Sequence, residues 1–264
     1  MIWLLAYAAG GVAAGFLAGL LGVGGGMTIV PIISAVLTAQ KVAPDHVIHI
    51  ALATAMCSII FTSSATAVQH HKRGAVDWVM FKRMTPGMVT GTLLATLFSG
   101  YIPQRVLALA FSLIVIAAGM QILFGKRPAP GKALPGMPVI FAYTVGVGVI
   151  AGLVSAGGAF LTMPFMVYCG VPLITAIGTG VVLAIPIAIM GSIGYIVSGW
   201  NTPGLPPYTL GFIYLPALAV IVCASVAVVP QGVRLAHRLP VQTLRRTFAM
   251  LLFALAAKML YSYW

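Results

Sequence analysis

Acidic residues are almost absent from this chain. Asp45 and Asp77 are the only carboxylates among 264 residues, against 14 lysines and arginines, and both fall in predicted loops. The sequence therefore has no carboxylate pair for general acid–base catalysis and no acidic group within an apolar segment to relay protons. It also lacks a cluster of metal ligands and the Gly-Lys-Ser/Thr ending of a phosphate-binding loop. We expect neither an enzyme nor a bound cofactor or metal.

Charge of either sign is scarce, and the rest of the chain is apolar. Charged residues make up 6%, apolar residues make up 61%, and the mean hydropathy is +1.10. Too few polar residues remain to cover a water-facing surface, which predicts an integral membrane protein surrounded by the lipid bilayer. The net charge of +12 lies in short stretches between apolar runs, as topology determinants do, so we expect no nucleic-acid partner.

Ten apolar segments form two sets of five, and a polar, proline-rich connector separates the sets. The first set covers roughly residues 3–21, 28–39, 47–68, 84–101 and 106–124, and the second covers 138–154, 160–168, 174–198, 208–229 and 241–260. Most are long enough to span a bilayer as helices. We predict an all-α polytopic membrane protein with a first repeat at 1–124, a cytoplasmic connector at 125–137 and a second repeat at 138–264.

The two sets resemble each other in sequence. Residues 151–164 repeat residues 18–31 at a constant offset of 133, with small residues, a glycine pair and a terminal proline in matching places. Further along, Thr54 matches Thr179. Matches in a shared order indicate an internal duplication.

Loop charge predicts that the two repeats are inverted. Eleven of the 14 basic residues fall in the stretches 69–83, 125–135 and 230–246, which are therefore predicted to be cytoplasmic. The equivalent of the first stretch, residues 199–207, carries no charge, so equivalent loops lie on opposite sides. This requires an odd number of crossings in each half. A glycine-broken helical hairpin followed by three transmembrane helices meets the requirement and places both termini on the outer side. The alternative is a simple bundle in which both hairpin arms cross fully.

Glycines break the first helical element of each repeat. Unpaired main-chain groups at membrane depth are tolerated only inside protein or beside a wet cavity. A helix that starts after such a break acts as about half a positive charge and offers N–H groups to an anion. We predict a substrate-binding site formed by both breaks and by the two equivalent threonines: Gly24, Gly25, Gly26, Met27, Thr28, Thr54, Gly157, Gly158, Ala159 and Thr179. His49 is a candidate proton-coupling group.

Inverted repeats with broken helices are the architecture of secondary transporters. A membrane potential of 100 mV, negative inside, favours outward movement of a monoanion by about 2.3 kcal/mol, so export of an anion needs no coupling ion. The alternatives are sodium- or proton-coupled uptake, and a non-transporting membrane scaffold whose glycines only pack helices. The oligomeric state does not follow from the sequence.

The paired motifs also resemble a known family. The stretch Gly19-Leu20-Leu21-Gly22-Val23-Gly24-Gly25-Gly26 with Pro31, its copy Gly152-Leu153-Val154-Ser155-Ala156-Gly157-Gly158 with Pro164, and the Gly178-Thr179 pair are similar to the TauE/SafE family, also called the 4-toluene sulfonate uptake permeases. The resemblance covers nearly the whole chain. It implies transport across the bacterial inner membrane of a small sulfur-containing anion, such as sulfite, sulfoacetate or another organosulfonate. The second motif has fewer glycines than the first.

Overall fold

A computed structural model describes residues 2–21, 25–124, 134–236 and 241–263. Within these ranges the protein is almost entirely helical, with one short β-hairpin. Six of the described helices are long and apolar enough to span a membrane. Large apolar side chains such as Phe124 and Ile174 are exposed along the outer faces of the helices, as expected where lipid covers them. The prediction of an all-α polytopic membrane protein is confirmed.

Each half contains five α-helices in the predicted order. The first half contains α1 (Ile2–Leu21), α2 (Gly26–Gln40), α3 (Val47–Lys72), α4 (Trp78–Leu97) and α5 (Gln104–Phe124), with a 3₁₀ turn (Ser99–Tyr101) before α5. The second half contains α6 (Met137–Val154), α7 (Ala159–Tyr168), α8 (Leu173–Gly199), α9 (Leu215–Ala236) and α10 (Val241–Tyr263). The antiparallel strands β1 (Thr209–Leu210) and β2 (Ile213–Tyr214) precede α9.

The first two helices of each half fold back on each other as a hairpin. In the first half, a Cβ added at Gly10 of α1 would lie 2.5 Å from the side chain of Ile32 in α2. In the second half, the Tyr143 hydroxyl of α6 donates to the Leu161 carbonyl oxygen of α7 at 2.9 Å. The returning helices are short, with 15 residues in α2 and 10 in α7. Ten residues cover about 15 Å, roughly half of the hydrocarbon layer, so α7 cannot cross it alone.

In each half, the first helix packs against the fourth helix of the other half. Helix α1 packs along α9, and its equivalent α6 packs along α4. A Cβ at Gly15 of α1 would overlap the main-chain carbonyl of Ser225, and a Cβ at Gly148 of α6 would overlap that of Met88. Gly15 and Gly148 are equivalent at the offset of 133 residues. Glycine thus permits the same close helix approach in both places.

Helices α3 and α8 are equivalent, and they pack side by side in opposite directions. Near the start of α8, a Cβ at Gly178 would overlap the main chain of Ala75, which follows the end of α3. Near the end of α8, Ser198 Oγ lies 3.3 Å from Ser99 Oγ. The main-chain oxygen of Ser99 lies 3.1 Å from Nε2 of His49, which is near the start of α3. These two helices form the centre of the molecule.

Two helix starts differ from the prediction. Helix α4 begins at Trp78 rather than at residue 84, because the Asp77 carboxylate caps it by accepting hydrogen bonds from the N–H groups of Val79 and Met80 at 2.9 and 3.0 Å. Lys82 therefore lies within a helix rather than in a loop. Helix α9 begins at residue 215 rather than 208, because the β-hairpin occupies the residues before it. Most of the predicted connector, residues 125–133, lies outside the described residues.

Candidate functional site

The two helix breaks meet in the centre of the protein. A Cβ added at Gly26, the first residue of α2, would overlap the main-chain carbonyl oxygen of Ser155 in the second break. The same Cβ would lie 2.6 Å from Ile59 Cδ1 of α3. Only glycine fits between these groups, so the start of α2 touches the end of α6 through main-chain atoms. The structure thereby brings Gly26, a predicted site residue of the first motif, into contact with the second motif.

Each break ends in a glycine with left-handed backbone geometry. Gly25 has φ 73° and precedes α2, and Gly158 has φ 68° and precedes α7. Such φ values cost an L-residue energy that glycine does not pay. In the first break the N–H groups of Thr28 and Ile29 donate to the Gly25 carbonyl oxygen. In the second break residues 161 and 162 bond the Gly158 carbonyl oxygen in the same way.

An α-helix cannot satisfy its first N–H groups internally. Because Thr28 and Leu161 already donate to the carbonyl three residues before them, the groups that remain include those of the first two residues of each short helix. These residues are Gly26 and Met27 in α2, and Ala159 and Phe160 in α7, and all four are buried. With the helix macrodipole, each start presents about half a positive charge to its surroundings. Each start thus presents main-chain groups of the kind that bind an oxyanion, and the start of α7 at Ala159 follows Ser155, which touches the start of α2, by four residues.

Thr28 lies just after the first break, in α2. Its hydroxyl donates to the Gly25 carbonyl oxygen at 2.6 Å, in the first turn of α2. That bond stabilises the break and uses the only hydrogen of the hydroxyl. Thr28 can therefore accept a further hydrogen bond through Oγ1 but cannot donate one. Gly24 lies outside the described residues, and Gly157 is buried in the second break.

Thr54 and Thr179 have equivalent contacts with the opposite half. Thr54 Oγ1 accepts from the N–H of Tyr214, the residue before α9, at 3.0 Å. Thr179 Oγ1 accepts from the N–H of Asp77, the residue before α4, at 2.8 Å. Since α4 and α9 are equivalent helices, each threonine holds the start of the same helix in the other half. Sequence comparison found this pair but could not show these partners.

His49 lies near the start of α3, away from the breaks. Its Nε2 is 3.1 Å from each of the carbonyl oxygens of Ser99 and Ile102, so Nε2 carries the hydrogen. The ring stacks on Phe212 with centroids 5.0 Å apart. Its Nδ1 is buried and has no hydrogen-bond partner among the described residues. In the neutral ring this nitrogen is an unused proton acceptor.

Two hydrogen bonds fix the second break, and the sequence alone shows neither of these pairings. Ser155 Oγ donates to the Leu52 carbonyl oxygen of α3 at 2.7 Å, and the Tyr195 hydroxyl of α8 donates to the Gly152 carbonyl oxygen at 2.9 Å. Ser155 stands where the first motif has glycine, and this difference was the only available signal in the sequence. The second break is therefore attached to both central helices.

A separate cavity of about 510 Å³ lies at the far ends of α1 and α2. It is lined by Trp3, Leu4, Tyr7, Ala39, Gln40, Val42, Tyr214 and Pro216. The 15 residues of α2 span about 21 Å, so this cavity is well removed from the breaks. Among the described residues, no group of three or more His, Cys, Asp or Glu side chains could hold a metal ion.

Comparison with known proteins gives consistent results. A "Probable membrane transporter protein" of Haemophilus influenzae is 32% identical over 255 residues, covering 94% of this chain and 95% of that protein. "Probable membrane transporter protein YunE" of Bacillus subtilis is 24% identical over 213 residues, covering 72% of this chain and 77% of that protein. No solved structure matches the chain.

The family model described as "Sulfite exporter TauE/SafE" matches residues 7–259, nearly the whole chain. Its match agrees with the paired glycine motifs, the helix order and the spanning helices described above. The relatives are named as transporters and not as enzymes. This chain therefore belongs to the TauE/SafE sulfite exporter family and is a multi-pass membrane transporter of that type.

Proposed function

We propose that this transporter moves a small sulfur-containing anion, such as sulfite, sulfoacetate or another organosulfonate, outward across the bacterial inner membrane. The observation that carries the proposal is the contact between Gly26 and the Ser155 carbonyl, which brings the start of α2 against the second break, from which α7 begins at Ala159. The anion is bound by main-chain N–H groups of the two breaks, those of Gly26 and Met27 in the first and those of Gly158 and Ala159 in the second. Thr54 and Thr179, predicted from the sequence as ligands, lie in the helices beside it, and we propose that they hold the starts of α9 and α4 rather than bind the anion.

We also propose that the two halves of this chain form an inverted repeat, an architecture that permits alternating access. Two packing features support it: the exchanged pairs α1–α9 and α6–α4, and the opposite directions of the equivalent helices α3 and α8. In this arrangement each hairpin enters and leaves on one side, the termini lie on the outer side, and the connector at 125–137 is cytoplasmic. Rocking one half against the other exposes the same site to either side.

The direction of transport follows from the electrostatics of the membrane. An inside-negative potential of 100 mV drives a monoanion outward by about 2.3 kcal/mol and a dianion by about twice as much. Export therefore requires no coupling ion, and the chain has no acidic residue within a described helix to supply a cation site.

The test is flux in proteoliposomes that contain purified protein. We expect saturable sulfite efflux that accelerates when a potassium diffusion potential makes the interior negative. We also expect sulfite to raise the melting temperature of the protein in detergent. Liposomes that show no saturable flux of sulfite or sulfoacetate, with protein whose melting temperature neither anion changes, would refute the proposal.

A second candidate function is proton-coupled uptake of the same anions. The specific observation in its favour is the buried His49 Nδ1, which has no hydrogen-bond partner among the described residues and can accept a proton. Uptake that requires an inward proton gradient, and that His49→Gln abolishes while efflux down a concentration gradient persists, would select this function over export. Uptake unaffected by the proton gradient would eliminate it.

A further inference from the structure

One buried hydroxyl on α3 differs from its neighbours. Serine and threonine in membrane helices normally donate to a carbonyl oxygen of the preceding turn. On α3, Ser58, Thr62, Ser64 and Thr66 all do so. Ser63 is 1% exposed, and its hydroxyl has no hydrogen-bond partner among the described residues. Leaving such a group unpaired inside protein is costly, which indicates that a ligand supplies the missing partner.

The position of Ser63 identifies the region that this ligand occupies. Ile59, one turn earlier on the same face of α3, touches the start of α2 at Gly26. Helices α2 and α3 run in opposite directions, since the end of α2 at Gln40 leads through a short loop to the start of α3. Ser63 is therefore about one turn beyond the level of the first residue of α2, on the side toward which the first N–H groups of that helix point.

The spacing suits an anion between these groups. Ser63 lies four residues beyond Ile59, a rise of about 6 Å along α3, which is of the size of one small oxyanion with its hydrogen bonds. An oxyanion head that accepts bonds from the N–H groups of Gly26 and Met27 can thus reach the Ser63 hydroxyl with the same oxygen or with a second one. A sulfite or sulfonate head has several acceptor oxygens and fits this arrangement of donors.

The second half has no equivalent hydroxyl. Applying the offset that relates Thr54 to Thr179, the counterpart of Ser63 is Ala188, which is fully buried in α8. At this pair of equivalent positions, therefore, the first half supplies a side-chain donor and the second half does not. This difference between the halves is independent of the difference in glycine content of the two motifs.

We infer that the Ser63 hydroxyl donates a hydrogen bond to the oxyanion head of the transported anion and, with the first N–H groups of α2, forms the tighter side of the site. This inference rests on the proposed function. It assigns to Ser63 a role in binding and specificity, because only a head with acceptor oxygens in this region pairs the buried hydroxyl.

The test compares Ser63→Ala with Ser58→Ala in proteoliposomes and in detergent. The Ser58 hydroxyl is also buried on α3, but it donates to the Ala55 carbonyl oxygen at 2.7 Å, so it is a matched control. For Ser63→Ala we expect the KM for sulfite to rise tenfold or more, the Tm without anion to stay the same or rise, and the stabilisation by sulfite to be largely lost. Ser63→Thr, which keeps the hydroxyl, should retain part of the affinity. Ser58→Ala should change KM less than twofold.

The outcomes distinguish failure of the Ser63 assignment from failure of the proposed function. If wild-type protein transports sulfite and Ser63→Ala has the wild-type KM and wild-type stabilisation by sulfite, the assignment of Ser63 is wrong while the proposed function stands. If wild-type protein shows neither flux nor stabilisation with sulfite or sulfoacetate, the proposed function fails and the inference fails with it. A fall in the anion-free Tm of Ser63→Ala equal to that of Ser58→Ala would indicate a packing role and would also overturn the assignment.

Discussion

The two helix breaks occupy equivalent places in the two halves, yet different interactions stabilise them. In the second break, the Ser155 hydroxyl and Tyr195 fix the main chain to α3 and α8. In the first, glycine allows the start of α2 to lie directly against the Ser155 carbonyl and Ile59. The second break is thus held by side-chain hydrogen bonds to the central helices, whereas the first is held by close main-chain contact and by the Thr28 hydroxyl. The two copies of a duplicated motif can therefore keep the same backbone geometry with different interactions.

The largest effect is expected where the two breaks touch. Gly26→Ala would place a Cβ on the Ser155 carbonyl oxygen, a main-chain group that cannot move aside alone. Overpacking of this kind costs about 1–3 kcal/mol, and separation of the breaks should reduce sulfite flux about tenfold or more. Flux in proteoliposomes and Tm in detergent measure the two effects. Gly146→Ala is the control, because nothing lies within 4 Å of its added Cβ. Wild-type flux and Tm in Gly26→Ala would contradict the contact.

A smaller effect should distinguish the first break from the second. Gly25→Ala and Gly158→Ala both force alanine to a positive φ, at about 1–2 kcal/mol each. The added Cβ at position 25 would lie 2.9 Å from the Ala14 carbonyl oxygen, whereas the one at position 158 would meet the flexible end of Met88 at 2.8 Å. We therefore expect Gly25→Ala to lower the Tm more. The reverse order of Tm values would show that the first break is the more tolerant one.

The smallest effect should be the same in both halves. Thr54→Val and Thr179→Val each remove the acceptor of a main-chain N–H before α9 or α4. Each loss should destabilise the protein by about 0.5–1.5 kcal/mol, because both N–H groups are only partly buried, and should lower the Tm by similar amounts, with serine at either position restoring it. We expect the KM for sulfite to remain near the wild-type value. A raised KM with unchanged Tm would instead show that the hydroxyl contacts the anion.

Much of the fold could be predicted from the sequence, because apolar length and glycine breaks determine where membrane helices begin and end. The start of α4 could not, since Lys82 and Arg83 interrupt its apolar run and the decisive interaction is the Asp77 cap. The start of α9 was missed for a similar reason: the apolar residues 208–214 form a turn and a β-hairpin rather than helix. Local interactions at helix ends outweighed hydropathy in both cases.

The site could be predicted only in part. The glycine motifs identified the breaks, and their duplication indicated that the breaks meet. Nothing in the sequence showed that Thr54 and Thr179 bond helix starts in the opposite half, because those partners are 160 and 102 residues away. Ser63 was one of several hydroxyls on α3, and only the three-dimensional structure shows that it lacks the usual partner.

The central claim is that an anion binds where the two breaks touch. The most direct measurement is a selenium anomalous difference map from crystals of the protein grown with selenite, a heavier analogue of sulfite. We predict a peak between Met27 and Ser63, within about 4 Å of both the Met27 nitrogen and the Ser63 hydroxyl oxygen, as expected for an oxyanion hydrogen-bonded to both. A peak elsewhere, such as in the cavity beside Trp3 and Tyr214, or no peak at a selenite concentration that raises the Tm, would contradict the claim.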